Sequence, residues 1–213
     1  MVVKTRRELR FVLQADMMMN RGRFKNSFRN IIRNFLIPDD TMSFLRVMRK
    51  LSYYNYKKNR CALYFLPYVF YLRKFYHLSV KLGFSIGYDT LGYGVVLPHH
   101  GTIVVGASNY VGNYAVLQTS TCITDNEKTI GDGLYLSTGV VITNKVNLGN
   151  GISIGANSIV NKECIDDNVM LAGQPAVIKK HKEVWYNRAP FEERHDKIEQ
   201  LRNSYVDWSN SNR

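Results

Sequence analysis

Two adjacent histidines, His99 and His100, are the residues of this chain whose type and position first suggest chemistry. They lie in the stretch LPHHGTIVVG, between a proline and a glycine, and a β-branched run too short for a helix follows them. Histidine ionises near neutral pH, so one placed at a turn is suited to act as a general base. Neighbours on an extended chain point in opposite directions and no third ligand lies nearby, which argues against a metal site.

The composition is that of a globular protein with a basic surface. The chain has 213 residues, 45% of them hydrophobic, and a formal net charge of +12. Such a charge attracts phosphate groups in any molecule. No recognised motif places the basic residues on a helix or strand that would contact nucleic-acid bases, so nucleic-acid binding is not predicted. We expect a cytoplasmic protein with no transmembrane segment, because it lacks a secretory signal and its longest apolar run, CALYFLPYVFYL, is too short to span. The chain has three cysteines, and their odd number fits a reducing compartment. They lie too far apart in the sequence to form a metal-binding motif: Cys61, Cys122 and Cys164.

The elements that must position the histidines fall into two kinds. Residues 1–82 show the apolar periodicity of helices, and Asp40 or Thr41 after Pro38 is the expected N-cap of one of them. A later helix is expected to end at Gly83. From Ile86 onward, aliphatic residues instead recur at six-residue steps with occasional irregularities: Leu91, Leu97, Ile103, Val111, Leu117, Ile123, Ile130, Leu136, Ile142, Leu148, Ile154, Val160, Ile165, Leu171 and Val177.

A six-residue period fits neither an α-helix nor a flat strand. It predicts a coil of short parallel strands, three to a turn, in which each aliphatic residue stacks on its counterpart in the next turn. We therefore predict an α+β protein with three parts: a helical domain over residues 1–82, a parallel β-helix over 83–180, and a short helical tail over 181–213. A β-sandwich whose residues fall on this rhythm by chance is the alternative.

The stretch IGDGLYLSTGVVITNKVNLGNGISIGANSIV, with AGQPAVIKK after it, resembles the hexapeptide-repeat acyltransferases. LGFSIGYDTLGYGVVLPHHGTIVVG resembles more closely the serine O-acetyltransferase-like proteins of polysaccharide biosynthesis. This resemblance implies that the β-helix is left-handed, an exception to the usual crossover rule. It also implies an O-acetyltransferase that uses acetyl-CoA, needs no metal, and works as a homotrimer.

The resemblance assigns the general base to His99, which stands two residues before the glycine of the motif, and no catalytic role to His100. The family carries acidic residues just before the histidine and early in the first coil, where this chain has Pro98 and Ser85. Their absence makes a neutral sugar hydroxyl easier to accept than the ammonium of L-serine, although both acceptors stay open. The group that orients the His99 imidazole must then come from another part of the chain, and Asp16 is one hypothesis. Asp89, which is nearby in the sequence, is interpreted as a solvated turn residue.

For the donor, the resemblance implies a groove along the small-residue corners of the coil. The matching positions are expected to bind acetyl-CoA, with the two lysines contacting its phosphates: Thr138, Gly139, Ala156, Asn157, Gly173, Pro175, Lys179 and Lys180. For the lysines, a solvated basic segment is an equal alternative.

A function of another class also stays open. The chain would then be a non-catalytic β-helix scaffold whose basic, aromatic helical half binds a membrane surface or a protein partner. The segment YYNYKKNRCALYFLPYVFYLRKFY favours it, although aromatic residues at helical spacing more often pack in a core. Thiol release from acetyl-CoA discriminates between the two functions.

Overall fold

The computed structural model describes residues 1–25 and 27–211, and within them the side chains of all but residues 31, 34 and 206–211. Four helices precede the strands, with a 3₁₀ turn at Ala62–Tyr64: α1 (Arg6–Arg21), α2 (Phe28–Leu36), α3 (Asp40–Lys58) and α4 (Phe65–Leu82). Thirteen strands follow: β1 (Phe84–Ile86), β2 (Ile103–Val105), β3 (Tyr110–Val111), β4 (Val116–Leu117), β5 (Thr121–Ile123), β6 (Thr129–Ile130), β7 (Tyr135–Leu136), β8 (Val141–Ile142), β9 (Asn147–Leu148), β10 (Ser153–Ile154), β11 (Ile159–Val160), β12 (Val169–Gly173) and β13 (Ala176–His181). A last helix, α5 (Phe191–Ser211), ends the described chain.

The strands form a left-handed parallel β-helix with three faces, as predicted. Face A is the sheet β1-β2-β5-β8-β11, face B is β3-β6-β9, and face C is β4-β7-β10-β12 with β13 added at its end. All pairs are parallel except β12 with β13, which form an antiparallel hairpin that closes the last coil. Each of β1 to β12 contributes at least one aliphatic side chain to the interior, so the coil has a continuous apolar column.

The stacking register differs from the six-residue rhythm at three places. Val105, not Ile103, pairs with Ile123 on face A, because the preceding loop holds two more residues than its counterpart. Near the end, Cys164 stacks on Leu148. Ile165 is 75% exposed, and Val177 lies in the closing hairpin rather than in the interior column.

Local capping explains where the helices begin and end. Thr5 Oγ1 accepts the N–H of Glu8 at 3.0 Å and starts α1. Asp39 caps α3 by accepting the N–H of Met42 at 3.2 Å, so the expected cap at Asp40 or Thr41 was wrong by one or two residues. Asp40 is already the first helical residue. Gly83 ends α4 in the left-handed region with φ +76°, which confirms that prediction.

Helices α3 and α4 share one apolar core with the coil. The ring of Phe44 on α3 stacks on Phe75 of α4 at 5.3 Å and meets Phe84 of β1 edge-on at 5.1 Å. This packing seats the helices on the first coil of the β-helix. The division of the chain at residues 82 and 180 stays a prediction.

A buried ion pair adds a polar clamp at the same junction. The Arg49 guanidinium is completely buried and donates from Nε to Asp16 Oδ2 at 2.8 Å. It also donates to the carbonyl oxygens of Leu91, at 2.8 Å, and of Gly92. Asp16 in turn accepts the N–H of Gly94 at 2.8 Å. Together the two side chains tie α1 and α3 to the backbone of the first coil.

The C-terminal segment packs against face C, since Trp185 and Ile198 lie in one apolar cluster with Val116 of β4, and Tyr135 of β7 packs against that cluster. Trp185 Nε1 donates to the carbonyl oxygen of Tyr114 at 2.8 Å, and the hydroxyls of Tyr93 and Tyr114 both donate to Glu199 on α5. The predicted helical tail is thus confirmed as α5, which packs on the coil and on α1. Within the described ranges, no helix is long and apolar enough to cross a membrane.

Candidate functional site

The candidate site is the corner of the β-helix at which each coil passes from face C to face A. The loops at this corner are residues 98–102, 118–120, 137–139 and 155–157. They are held in one row by backbone hydrogen bonds: Ser120 N to Thr102 O at 2.6 Å, Gly139 N to Thr119 O at 3.3 Å, and Asn157 N to Thr138 O at 2.9 Å. We call these loops the corner row.

The tight turns of the corner row require left-handed backbone. Ser120, Gly139 and Asn157 have φ of +60°, +76° and +55°. At Gly139 the need is also steric, because a Cβ atom there would come within 2.1 Å of Asn157 Oδ1. Small residues therefore keep the row shallow, which lets an extended ligand approach the backbone.

The first loop of the corner row carries both histidines. Five residues, 98–102, separate Leu97 from Ile103, whereas three, 118–120, separate Leu117 from Thr121, the pairing partner of Ile103. The first loop is therefore two residues longer. Its Gly101 donates its N–H to the carbonyl oxygen of Leu82 at 2.8 Å, so the end of α4 anchors the loop. His99 and His100 are both exposed on it.

No hydrogen bond or ion pair of either imidazole occurs among the described side chains. The guess that Asp16 orients His99 was wrong, since its carboxylate is buried against Arg49 and the N–H groups of Gly94 and Val95. The interpretation of Asp89 as a solvated turn residue was also wrong. This side chain is partly buried and accepts a hydrogen bond from Ser52 Oγ, and burial raises the pKa of its carboxyl.

Five of the predicted donor residues lie together in the corner row and its continuation. Thr138, Ala156, Asn157 and Gly173 are exposed, and Gly139 is partly exposed. Gly173 N donates to Ser158 Oγ at 3.1 Å, which places the end of β12 beside the last loop of the row. Pro175 lies in the turn between β12 and β13.

Lys179 and Lys180 lie apart from the row. Lys180 pairs with Met170 on the antiparallel β13, whereas Ala176 pairs with Gly173 at the turn. Lys180 lies four residue steps of extended strand beyond Ala176, which is about 13 Å. Both lysines are exposed. Only a long ligand could contact the corner row and these lysines together.

Sequence reasoning missed three residues of this corner. Thr119 and Ser120 form the loop next to the histidines, and the Thr119 side chain would lie 3.3 Å from a Cβ atom at Gly101. Gln174 donates from Nε2 to the carbonyl oxygen of Asn157 at 2.5 Å and so binds the hairpin turn to the row. Thr119 and Ser120 follow Leu117 at the offsets at which Thr138 and Gly139 follow Leu136, and this spacing was the available signal.

The outer side of face A borders the corner, and the described part of the chain leaves it uncovered. Its outward residues form a partly exposed, largely apolar strip: Val104, Cys122, Val141 and Ile159. A groove of about 770 Å³ opens beside the strip, between the end of α4 and the first strands, and Ser85 and Thr102 line it. By contrast, the outward residues of face B are exposed and mostly polar: Tyr110, Thr129 and Asn147.

The described residues contain no group of three or more His, Cys, Asp or Glu side chains placed to hold a metal ion. The corner combines an exposed histidine loop, a row of small residues with accessible backbone, and an adjoining apolar face.

No protein-family model and no curated protein matches this sequence. Solved structures do match it. A serine acetyltransferase from Brucella abortus strain S19 is 23% identical over 83% of this chain and 69% of that chain, with a TM-score of 0.58. A serine acetyltransferase from Neisseria gonorrhoeae in complex with serine is 20% identical over 81% of this chain and 69% of that one, with a TM-score of 0.59.

A third solved structure, a serine acetyltransferase in complex with CoA, is 21% identical over 80% of this chain and 67% of that chain, with a TM-score of 0.55. At these identities the likeness shows the fold: a helical segment followed by a left-handed β-helix. It covers both parts of the chain, since four-fifths of the residues are matched in each comparison.

Proposed function

We propose that this protein is an acetyl-CoA-dependent O-acetyltransferase whose acceptor is a hydroxyl of a sugar or polysaccharide precursor, or of L-serine. The observation that carries the proposal is the exposed His99 on a lengthened corner loop, beside a row of small residues on a left-handed β-helix. The matched solved structures support it, since they are serine acetyltransferases, two of them in complex with CoA or serine.

In the proposed reaction His99 acts as the general base. An alcohol is a weak nucleophile, so its proton must be removed as its oxygen attacks the carbonyl carbon of the thioester. The neutral imidazole takes that proton while the C–O bond forms. When the C–S bond breaks, the imidazolium returns the proton to the departing thiolate, so no covalent enzyme intermediate is needed. An imidazole free of other partners in the described chain is available for this task.

The corner row fits a long, extended donor. Thr138, Ala156 and Asn157 offer a shallow surface with accessible backbone and short side chains. Lys179 and Lys180, about 13 Å along the closing hairpin, would contact phosphate groups at the far end of such a ligand. The reactive thioester would then lie toward His99 at the opposite end of the row.

The acceptor side favours a neutral hydroxyl compound. Residues 98–102 contain no carboxylate, and Ser85 stands, allowing a one-residue gap, where the family that the sequence resembles has an acidic residue. Asp89 is held by Ser52 and Asp16 by Arg49. Asp125, which lines the groove beside Ser85, is held by the N–H and the hydroxyl of Ser108. A sugar requires no such charge, because hydroxyl groups bind through neutral hydrogen bonds.

We further propose that the protein is a cytoplasmic homotrimer assembled through face A. The C-terminal segment covers face C, and face B is exposed and mostly polar, so face A is the remaining face with an apolar strip. A closed cyclic assembly would bury this strip in every subunit and bring the neighbouring corner rows to the interfaces.

The test is thiol release from acetyl-CoA by the purified chain, with L-serine, nucleotide sugars and oligosaccharides as acceptors. We expect acceptor-dependent release with at least one sugar-containing acceptor, and mass spectrometry should show a product heavier by one acetyl group. Release with L-serine alone would support acetyl transfer but overturn the sugar preference. No release with any acceptor would favour the alternative, a β-helix scaffold without catalysis.

A further inference from the structure

Helix α2 carries an apolar face that the described part of the chain leaves exposed. Phe28, Ile32, Phe35 and Leu36 follow one another at the spacing of a single helix side, and their exposed fractions are 77%, 48%, 84% and 71%. Ile37, directly after the helix, is 73% exposed. A run of large side chains in water is costly, which marks the face as a contact surface.

The same segment is strongly basic. Residues 21–37 contain five basic residues and no aspartate or glutamate: Arg21, Arg23, Lys25, Arg29 and Arg33. Arg21 pairs with Asp39 at 2.8 Å. Lys25, Arg29 and Arg33 are exposed and form no ion pair with any described side chain. Arg29 and Arg33 each follow an apolar residue of α2 by one position, so they border its apolar face.

We propose that α2 binds an anionic lipid surface, lying in the plane of the membrane interface. Its apolar side chains would enter the boundary between headgroups and acyl chains, while Arg29 and Arg33 would contact lipid phosphates. Nine residues of helix are about 14 Å long, which is too short to span a bilayer but sufficient to lie on one. The inference is independent of the proposed acetyl transfer.

The charges favour a lipid surface over a second copy of the chain. Two copies of α2 packed face to face would bring their bordering arginines together, and like charges at an interface oppose association. An anionic membrane instead supplies many phosphates around one helix. The net charge of +12 adds a long-range attraction of the same sign.

The test is flotation of the full chain with vesicles of phosphatidylcholine alone and of phosphatidylcholine mixed with phosphatidylglycerol. We expect binding to the anionic vesicles that weakens as salt rises from about 0.1 to 0.5 M. Phe35→Glu with Leu36→Glu should lower the bound fraction roughly tenfold or more. Arg29→Glu with Arg33→Glu should weaken binding to the anionic vesicles in particular. Because all four side chains are exposed, circular dichroism should show an unchanged fold.

Ile165→Glu is the matched control, since Ile165 is 75% exposed but lies in the last coil of the β-helix. It should bind as the unaltered chain does. The proposal is overturned if the unaltered chain does not float with anionic vesicles, or if the Phe35 and Leu36 variant floats equally well. It is also overturned if that variant changes the mass measured by light scattering while vesicle binding stays constant, because the face would then join copies of the chain.

Discussion

At the scale of the residue, the central prediction concerns the two adjacent histidines. His99→Ala should lower kcat for acetyl transfer by about 100-fold or more, because a general base contributes 10²–10⁴-fold. The binding of CoA should change little, since the expected donor residues lie farther along the corner row. Steady-state kinetics with the best acceptor and calorimetry with CoA measure the two effects.

His100→Ala is the control for that prediction. Both side chains are exposed on the same loop and lack partners in the described chain, so a general disturbance of the loop would affect both variants alike. We expect His100→Ala to retain most of the turnover. Wild-type turnover in His99→Ala would refute the proposed mechanism. The two imidazoles do not differ in exposure class or in described contacts, so the choice of His99 as the base rests on the sequence resemblance.

At the scale of the element, the junction between helices and coil should depend on the buried Arg49–Asp16 pair. Arg49→Met should lower the free energy of unfolding by about 3–5 kcal/mol, because it leaves the Asp16 carboxylate buried without its charged partner. Two carbonyl oxygens of the first coil would lose their donor as well. Urea denaturation measures the change.

Arg21→Met provides a matched comparison. Arg21 forms an ion pair with Asp39 at the same distance of 2.8 Å, but both side chains are partly exposed. Surface pairs contribute about 0–1 kcal/mol, so this variant should be nearly neutral. Equal losses in the two arginine variants would show that burial does not set the strength of the Arg49 clamp.

The attachment of α5 to the coil should weaken in alkali. Burial raises the pKa of Tyr93 from 10.0 to about 12, Glu199 adds to that rise, and Arg202 opposes it. Between these values the unfolded chain releases a proton that the folded chain keeps. The free energy of unfolding should therefore fall as pH rises from 10 to 12. Burial raises the pKa of Tyr114 as well, which acts in the same direction.

Denaturation at several pH values tests this prediction. Tyr93→Phe should reduce the slope of stability against pH, even though the lost hydrogen bond to Glu199 lowers stability throughout. Tyr110→Phe, on the exposed face B, should leave the slope unchanged. An unaltered slope in Tyr93→Phe would mean that this hydroxyl does not control the alkaline transition.

The sequence predicted the β-helix because its period depends on local composition. Each coil repeats an aliphatic interior residue and small corner residues, and this pattern is visible without knowing any partner strand. The stacking register between successive coils was harder to predict. The shift from Ile103 to Val105 and the stacking of Cys164 on Leu148 depend on loop lengths, which change the pairing without changing the residue types.

The surroundings of the candidate site were less predictable. The contact between Asp16 and Arg49 could not be predicted from the sequence, because it joins residues 33 positions apart on different helices. Helix α2 lies in the half of the chain that was predicted to be helical, but it was not predicted as a separate helix. Its apolar side chains are exposed, so they do not pack in the described core. The positions of Thr138 and Asn157 at corners of the coil were predicted, because the six-residue repeat is regular there.

At the scale of the whole molecule, the prediction is a homotrimer joined through face A. Val141 lies in the middle of the apolar strip on that face, between Cys122 and Ile159 on the neighbouring strands. Val141→Glu should place a charge in each interface and shift the mass measured by light scattering toward that of one chain. Activity should fall with it, because the corner rows would no longer lie against a neighbour.

Thr129→Glu, on the exposed face B, is the control, since its side chain points to solvent on a face that has no apolar strip. It should keep both the trimer mass and the turnover of the unaltered chain. Dilution offers a check without substitutions: if each site lies between two neighbouring chains of the trimer, specific activity should decrease as the trimer dissociates. A monomer at micromolar concentration with full activity would contradict the assembly. The apolar strip of face A would then need another explanation, and the His99 loop and corner row of one chain would have to bind donor and acceptor alone.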